Sequence, residues 1–169
     1  MALDIETKNF AHEIGGWNNT HMFIPSVVCT WDGTIGKIYI DKEVDDMVKS
    51  TYTVKPMREL KFDLDDHFEK GGKILGHNIV GFDLPILRDS MDIYCIRKYL
   101  KDDTTYIDTS KALLKETGER FPLSNLVKHT LGDNKLMDWT DIPIMPTPGA
   151  VGEIIKKIAD KETNALVII

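Results

Sequence analysis

Residues 2–7 read Ala-Leu-Asp-Ile-Glu-Thr, and their alternation decides the fold. Strand side chains alternate with a period of two, so Leu3 and Ile5 share one face and Asp4 and Glu6 the other. Solvent-facing acids are the plain explanation. The opening strand of a mixed sheet is commonly central, however, and paired acids there need a reason. Working outward, residues 23–31 (Phe-Ile-Pro-Ser-Val-Val-Cys-Thr-Trp) are rich in β-branched and aromatic side chains and predict a second strand. Asp32-Gly33 is a hairpin signal, and residues 35–40 predict a third strand, antiparallel to the second. Leu60, Leu64 and Phe68 recur at helical spacing within residues 56–70, and Gly71-Gly72 stops that helix. A short buried strand over residues 73–77 follows, then a helix over 82–91 with Pro85 in its first turn. Residues 106–108 predict a strand, and residues 109–116 and 123–131 predict helices. A proline-rich connector over 142–149 and a final helix over 152–167 complete the reading. The expectation is one α/β domain over residues 1–169, a mixed five-stranded sheet flanked by helices.

The 169-residue length suits one domain with its own core. With 21 basic against 27 acidic residues, the formal charge is −6. That excess argues against holding long nucleic acid by bulk charge. It leaves room for a local carboxylate cluster. Cys29 and Cys95 stand far apart, which suggests neither a disulfide framework nor a thiolate metal site, and points to a reducing compartment. No apolar run reaches the roughly 18 residues of a membrane span, and the N-terminal Met-Ala-Leu-Asp-Ile-Glu lacks the basic-then-apolar pattern expected of a signal peptide. A cytoplasmic protein without membrane attachment is expected.

Two further acids join the first pair. Asp83 follows the predicted strand in His77-Asn78-Ile79-Val80-Gly81-Phe82-Asp83; alone it would read as a helix cap. Asp160 lies on the last predicted helix and alone would read as a solvated charge. Together the four make a set of hard oxygen donors suited to Mg²⁺ or Mn²⁺. Two such ions clamp the attacking and leaving oxygens of a phosphodiester without a nucleophilic side chain. No Walker A, G-x-S-x-G, H-E-x-x-H or Rossmann glycine motif competes.

Asp4-Ile5-Glu6-Thr7 resembles the first motif of the DEDD 3′–5′ exonucleases of the ribonuclease H-like superfamily. Asn78-x-x-x-Phe82-Asp83-Leu84-Pro85 resembles their second motif, and Tyr106-Ile107-Asp108-Thr109 the strand that follows it. Residues 114–132 and Lys135 are similar to the matching region of exonucleases related to polymerase proofreading domains. The resemblance spans essentially the whole chain and implies a ribonuclease H-like fold. It implies that Asp4 bridges two Mg²⁺ or Mn²⁺ ions, that Glu6 and Asp160 complete one site, and that Asp83 supports the other. Asn78 and Phe82 would shape the second motif. Thr7, Lys8 and Phe10 would meet the terminal nucleotide, with Phe10 either stacked on a base or, slightly favoured, part of the core.

The third motif departs from the family. Where a Tyr or His should stand before Asp160, the chain has Lys156 and Ile155, or Lys157 in an alternative alignment. Tyr and Lys have reference pKa values of about 10 and 10.4, so neither is a ready base at neutral pH. Nearby cations would favour a neutral Lys156 able to orient water. Otherwise the lysines are a solvated helix face. Lys8, Arg88, Lys111, Arg120, Lys128, His129 and Lys135 are the candidate phosphate contacts.

The expected activity is divalent-metal-dependent 3′–5′ exonuclease hydrolysis of single-stranded DNA ends. The protein would act as a stand-alone enzyme or as a separate partner of a polymerase or repair assembly. An exoribonuclease is the first alternative. A catalytically weak or inactive nucleic-acid-binding module on the same fold is the second.

Overall fold

A computed structural model describes residues 1–42, 47–48 and 51–131. The predicted connector over 142–149, the predicted helix over 152–167, and Lys135, Lys156, Lys157 and Asp160 lie outside the described residues.

The strands are β1 (Ala2–Thr7), β2 (Pro25–Trp31), β3 (Gly36–Ile40), β4 (Met47–Val48), β5 (Tyr52–Pro56), β6 (Ile74–Gly76) and β7 (Tyr106–Asp108). The helices are α1 (Leu60–Glu69), α2 (Asp83–Ser90), α3 (Tyr94–Tyr99), α4 (Thr109–Thr117) and α5 (Leu123–Leu131). Among the described residues one seven-stranded sheet runs β4-β5-β3-β2-β1-β6-β7. The sheet is therefore wider than the five strands expected, by β4 and β5 at one edge. β5 lies parallel to β3, and β4 folds back antiparallel on β5.

The first three strands form the expected antiparallel meander, with Asp4 opposite Cys29 and Ile5 opposite Val28. Asp32 closes its second turn, its Oδ1 accepting from the amides of Thr34 at 2.8 Å and Ile35 at 2.9 Å. Those two N–H bonds hold the Asp32 carboxyl below its ordinary range. On the other side of β1, β6 and then β7 run parallel to it. β1 is thus central.

The alternation in β1 separates two environments. Leu3 and Ile5 enter the main core with Val28, Leu60, Leu64, Leu84, Leu87 and Ile96. A smaller cluster of Ile38, Ile40, Tyr52 and Val54, backed by Val27 and Cys29, forms on the other face of the meander. Asp4 and Glu6 pair across the sheet with Cys29 and Val27, and so belong to that second face. Among the described residues, no helix is long and apolar enough to cross a membrane.

Gly76 is enclosed on two sides: a Cβ there would run into the buried Ile79 side chain of the following turn and stand 2.9 Å from the Leu3 carbonyl of β1. Gly76→Ala must displace the Ile79 side chain and crowd β1. It is expected to cost roughly 2 kcal/mol in urea denaturation, the scale of overpacking a closed interior.

Candidate functional site

β1 leads into β2 on one side, whereas β6 leads onward to the other. Crevices open where parallel strands diverge in this way, beyond their carboxyl ends. The chain places a cleft of about 450 Å³ there. Asp4, Glu6 and Thr7 line it from the end of β1, His77 and Asn78 from just past β6, and Phe82 and Asp83 from the start of α2. Phe10 and Trp17 line it from the segment that joins β1 to β2.

Asp83 is 3% exposed. It does not cap α2: Phe82 occupies the cap position, with no side-chain hydrogen bond there. Instead its Oδ1 accepts from the Ile5 amide of β1 at 3.1 Å. Burial first, then the negative charge of Asp4 and more weakly that of Glu6, push the Asp83 carboxyl up to about 8 against the opposing N–H bonds from its own amide and from Ile5. Cys29 feels the same charges; burial first, then Asp4 and Glu6, push its thiol up to about 12.

The turn that delivers Asp83 is held by Asp108, a residue assigned no role by the sequence alone. Asn78 sits at φ 63°, in the left-handed region that asparagine tolerates. Its carbonyl accepts from the amides of Gly81 at 3.0 Å and Phe82 at 3.1 Å. Asp108, 5% exposed, accepts from the amides of Asn78 at 2.9 Å and Val80 at 3.1 Å. The same carboxylate accepts from Ser110 at 3.0 Å and Lys111 at 3.2 Å, and so also caps α4. One buried acid thus fastens the end of β7, the start of α4 and the turn before Asp83. An Asp directly before a helical run is a cap signal, and it could have been found. Asp108→Ala is expected to cost roughly 3 kcal/mol, a lost cap plus two charge-assisted turn bonds. Chemical denaturation checks this.

His77 adds a second tie. Its Nε2 donates to the Phe121 carbonyl at 2.8 Å, and its Nδ1 meets Thr109 Oγ1 at 2.9 Å.

Of the residues expected to meet substrate, Thr7, Phe10, Asn78 and Phe82 line the cleft and Lys8 does not. Lys8 instead pairs with Asp41 at the surface. Phe10 is not a core residue: it is 43% exposed and stacks against His12 at 5.6 Å. Trp17, which sequence reasoning passed over, contacts Phe82 edge-on at 5.6 Å. Arg88 is bound to Asp89 through two short contacts of 2.5 and 2.6 Å, and Lys111 lies over the Tyr106 ring.

The cleft therefore joins three of the four predicted acids. Among the described residues, no group of three or more His, Cys, Asp or Glu side chains is disposed to hold a metal ion. Compared with known proteins, the chain matches no family model and no curated sequence.

Proposed function

We propose that the protein is a divalent-metal-dependent 3′–5′ exonuclease of the ribonuclease H-like, DEDD type, acting on single-stranded DNA ends. One observation carries the reading: Asp4, Glu6 and Asp83 line a single cleft at the split between β1 and β6. The mixed, helix-flanked sheet, in which β3-β2-β1-β6-β7 are five neighbouring strands and β4 and β5 lie at the edge, supports this reading.

The donor set fits Mg²⁺ or Mn²⁺ in its chemistry. All three acids offer hard oxygens, and Asp4 and Glu6 raise the Asp83 carboxyl by repulsion that a cation would relieve. Asp4, Glu6 and Asp83 would hold the ions, with Asp160 as a fourth ligand. When bound, the ions acidify the attacking water and stabilise the leaving 3′ oxygen. Asp83, fixed to the Ile5 amide, keeps one carboxylate in register with β1. Thr7 and Phe10 would meet a terminal nucleotide, with Asn78 and Phe82 lining the same cleft. Lys156 is the candidate for orienting water. Two free cysteines accord with a reducing, cytoplasmic setting, and a polymerase or repair factor would be a separate partner.

Incubating end-labelled single-stranded DNA and RNA, with free and blocked 3′ ends, with Mn²⁺ tests the reading. Stepwise loss of nucleotides from free 3′ ends of DNA is expected. Faster trimming of RNA would select the exoribonuclease, and binding without cleavage would select the non-catalytic module.

A further inference from the structure

Trp17 is 67% exposed, an unusual expense for the largest apolar side chain. It is not carried on a loose loop. Gly15 at φ 81° and Gly16 at φ 120° turn the chain sharply before it, where a side chain would be strained. The Gly16 amide donates to the Ala11 carbonyl at 2.7 Å, and Asn19 Nδ2 donates to the Ile14 carbonyl at 2.7 Å. At the base of the segment, Asn9 Nδ2 donates to Met22 and Asn9 Oδ1 accepts from Ile24. The indole is also backed. It lies 6.2 Å from the Phe23 ring at 27° and meets Phe82 at 70°. Phe23 is buried in the main core. The fold thus fixes an aromatic plane from behind and leaves most of it open, at the wall of the cleft that holds Asp4, Glu6 and Asp83.

We propose that Trp17 is a stacking platform for a nucleobase of the strand whose end meets the carboxylates. This inference rests on the exonuclease reading. The chemistry of the wall favours a base over a phosphate. A rigid, preoriented ring recovers stacking and apolar burial at little entropic cost, whereas phosphate recognition calls for Arg or Lys. Neither lines this cleft among the described residues. Stacking is indifferent to base identity, so Trp17 would confer grip without sequence preference.

The test measures binding of short fluorescein-labelled DNA with a free 3′ end to the full chain in Ca²⁺, by anisotropy. A matched DNA lacks bases on its last sugars. Wild type, Trp17→Ala and Trp17→Phe are compared, and melting curves confirm that each is folded. Trp17→Ala is expected to weaken binding of the ordinary strand about tenfold, the scale of one lost base stack. It should leave binding of the abasic strand unchanged, and Trp17→Phe should keep most of the affinity. Equal binding of the ordinary strand by wild type and Trp17→Ala overturns the assignment, as does an equal loss on both strands. Wild-type cleavage assays separate the two levels. If the wild type neither binds nor cuts, the exonuclease reading falls and the platform with it. If it cuts and Trp17→Ala is unaltered, the platform alone falls.

Discussion

Asp4→Asn is expected to remove divalent-dependent cleavage, by about 100-fold or more, while leaving the protein folded. Asp4 stands in the middle of β1, paired with Cys29 of β2. Its backbone bonds do not depend on its charge, so the exchange of oxygen for an amide should be structurally quiet. It does remove an anionic donor that the proposed site needs. It also removes the largest charge acting on Asp83. Two readouts therefore move in opposite directions. Mn²⁺ should raise the melting temperature of the wild type, by a stabilisation of about 2.7 kcal/mol at a hundredfold excess over Kd. The variant should lose most of that gain, yet melt higher than wild type in EDTA at pH 8. Wild-type cleavage rates in the variant would remove Asp4 from the chemistry.

The second large effect is on stability against pH. An unperturbed aspartate titrates at about 3.9. In the folded chain Asp83 is pushed up to about 8, chiefly by burial. Below the unfolded value the group is protonated in both states and contributes no slope. Between the two values the folded state retains a proton that the unfolded chain has lost. Stability must fall as pH rises through this window and level off above the folded value. The loss is on the order of a few kcal/mol, since each tenfold change in proton affinity between the two states is worth about 1.4 kcal/mol. Asp83→Asn keeps an oxygen for the Ile5 amide and cannot ionise. Its melting temperature in EDTA should be flat across the window in which the wild type declines. Mn²⁺ should restore the wild type at pH 8 and do little for the variant. A decline that persists unchanged in Asp83→Asn would assign it to another group.

Sequence alone revealed most of the strands near the site, because β1, β2 and β3 carry strong period-two or β-branched signals. β5 carries the same signal, with Tyr52, Val54 and Pro56 buried and Thr53 and Lys55 less so. It was hidden by the charged residues before it and by the proline that ends it. α3 spans Tyr94–Tyr99, too short for a helical period to show. The acids Asp4, Glu6 and Asp83 were legible as types, and β1 gave two of them a common face. That Asp83 bonds to β1 rather than capping its own helix was not legible, because Ile5 and Asp83 meet only through tertiary structure. Trp17 was missed for a related reason. A tryptophan inside a glycine–asparagine turn carries no periodic signal, and only the packed core shows which side of it is open.

The net charge of −6 can also be located. Asp63 of α1 accepts from Tyr39 and pairs with Lys37 and Lys55, away from the cleft. Lys8 is matched by Asp41, and Arg88 by Asp89. Several acids outside the cleft are thus paired in the structure. Inside the cleft, the charges of Asp4 and Glu6 act on the buried Asp83, and a cation there would reverse the sign of that local field.

The bond from the Ile5 amide to Asp83 has one more consequence. β1 and β6 share the single register pair Ala2 and Leu75 before they part. Beyond that point Asp83 accepts from an amide that a longer neighbouring strand would otherwise claim. Sheet and cleft compete for one hydrogen. Any change that let β6 extend by a few residues would zip the two strands together and close the crevice, trading function for a tidier sheet. The exchange rate of the Ile5 amide proton is then a gauge of the opening itself: slow while Asp83 holds it, and faster once that carboxyl turns away to bind something else.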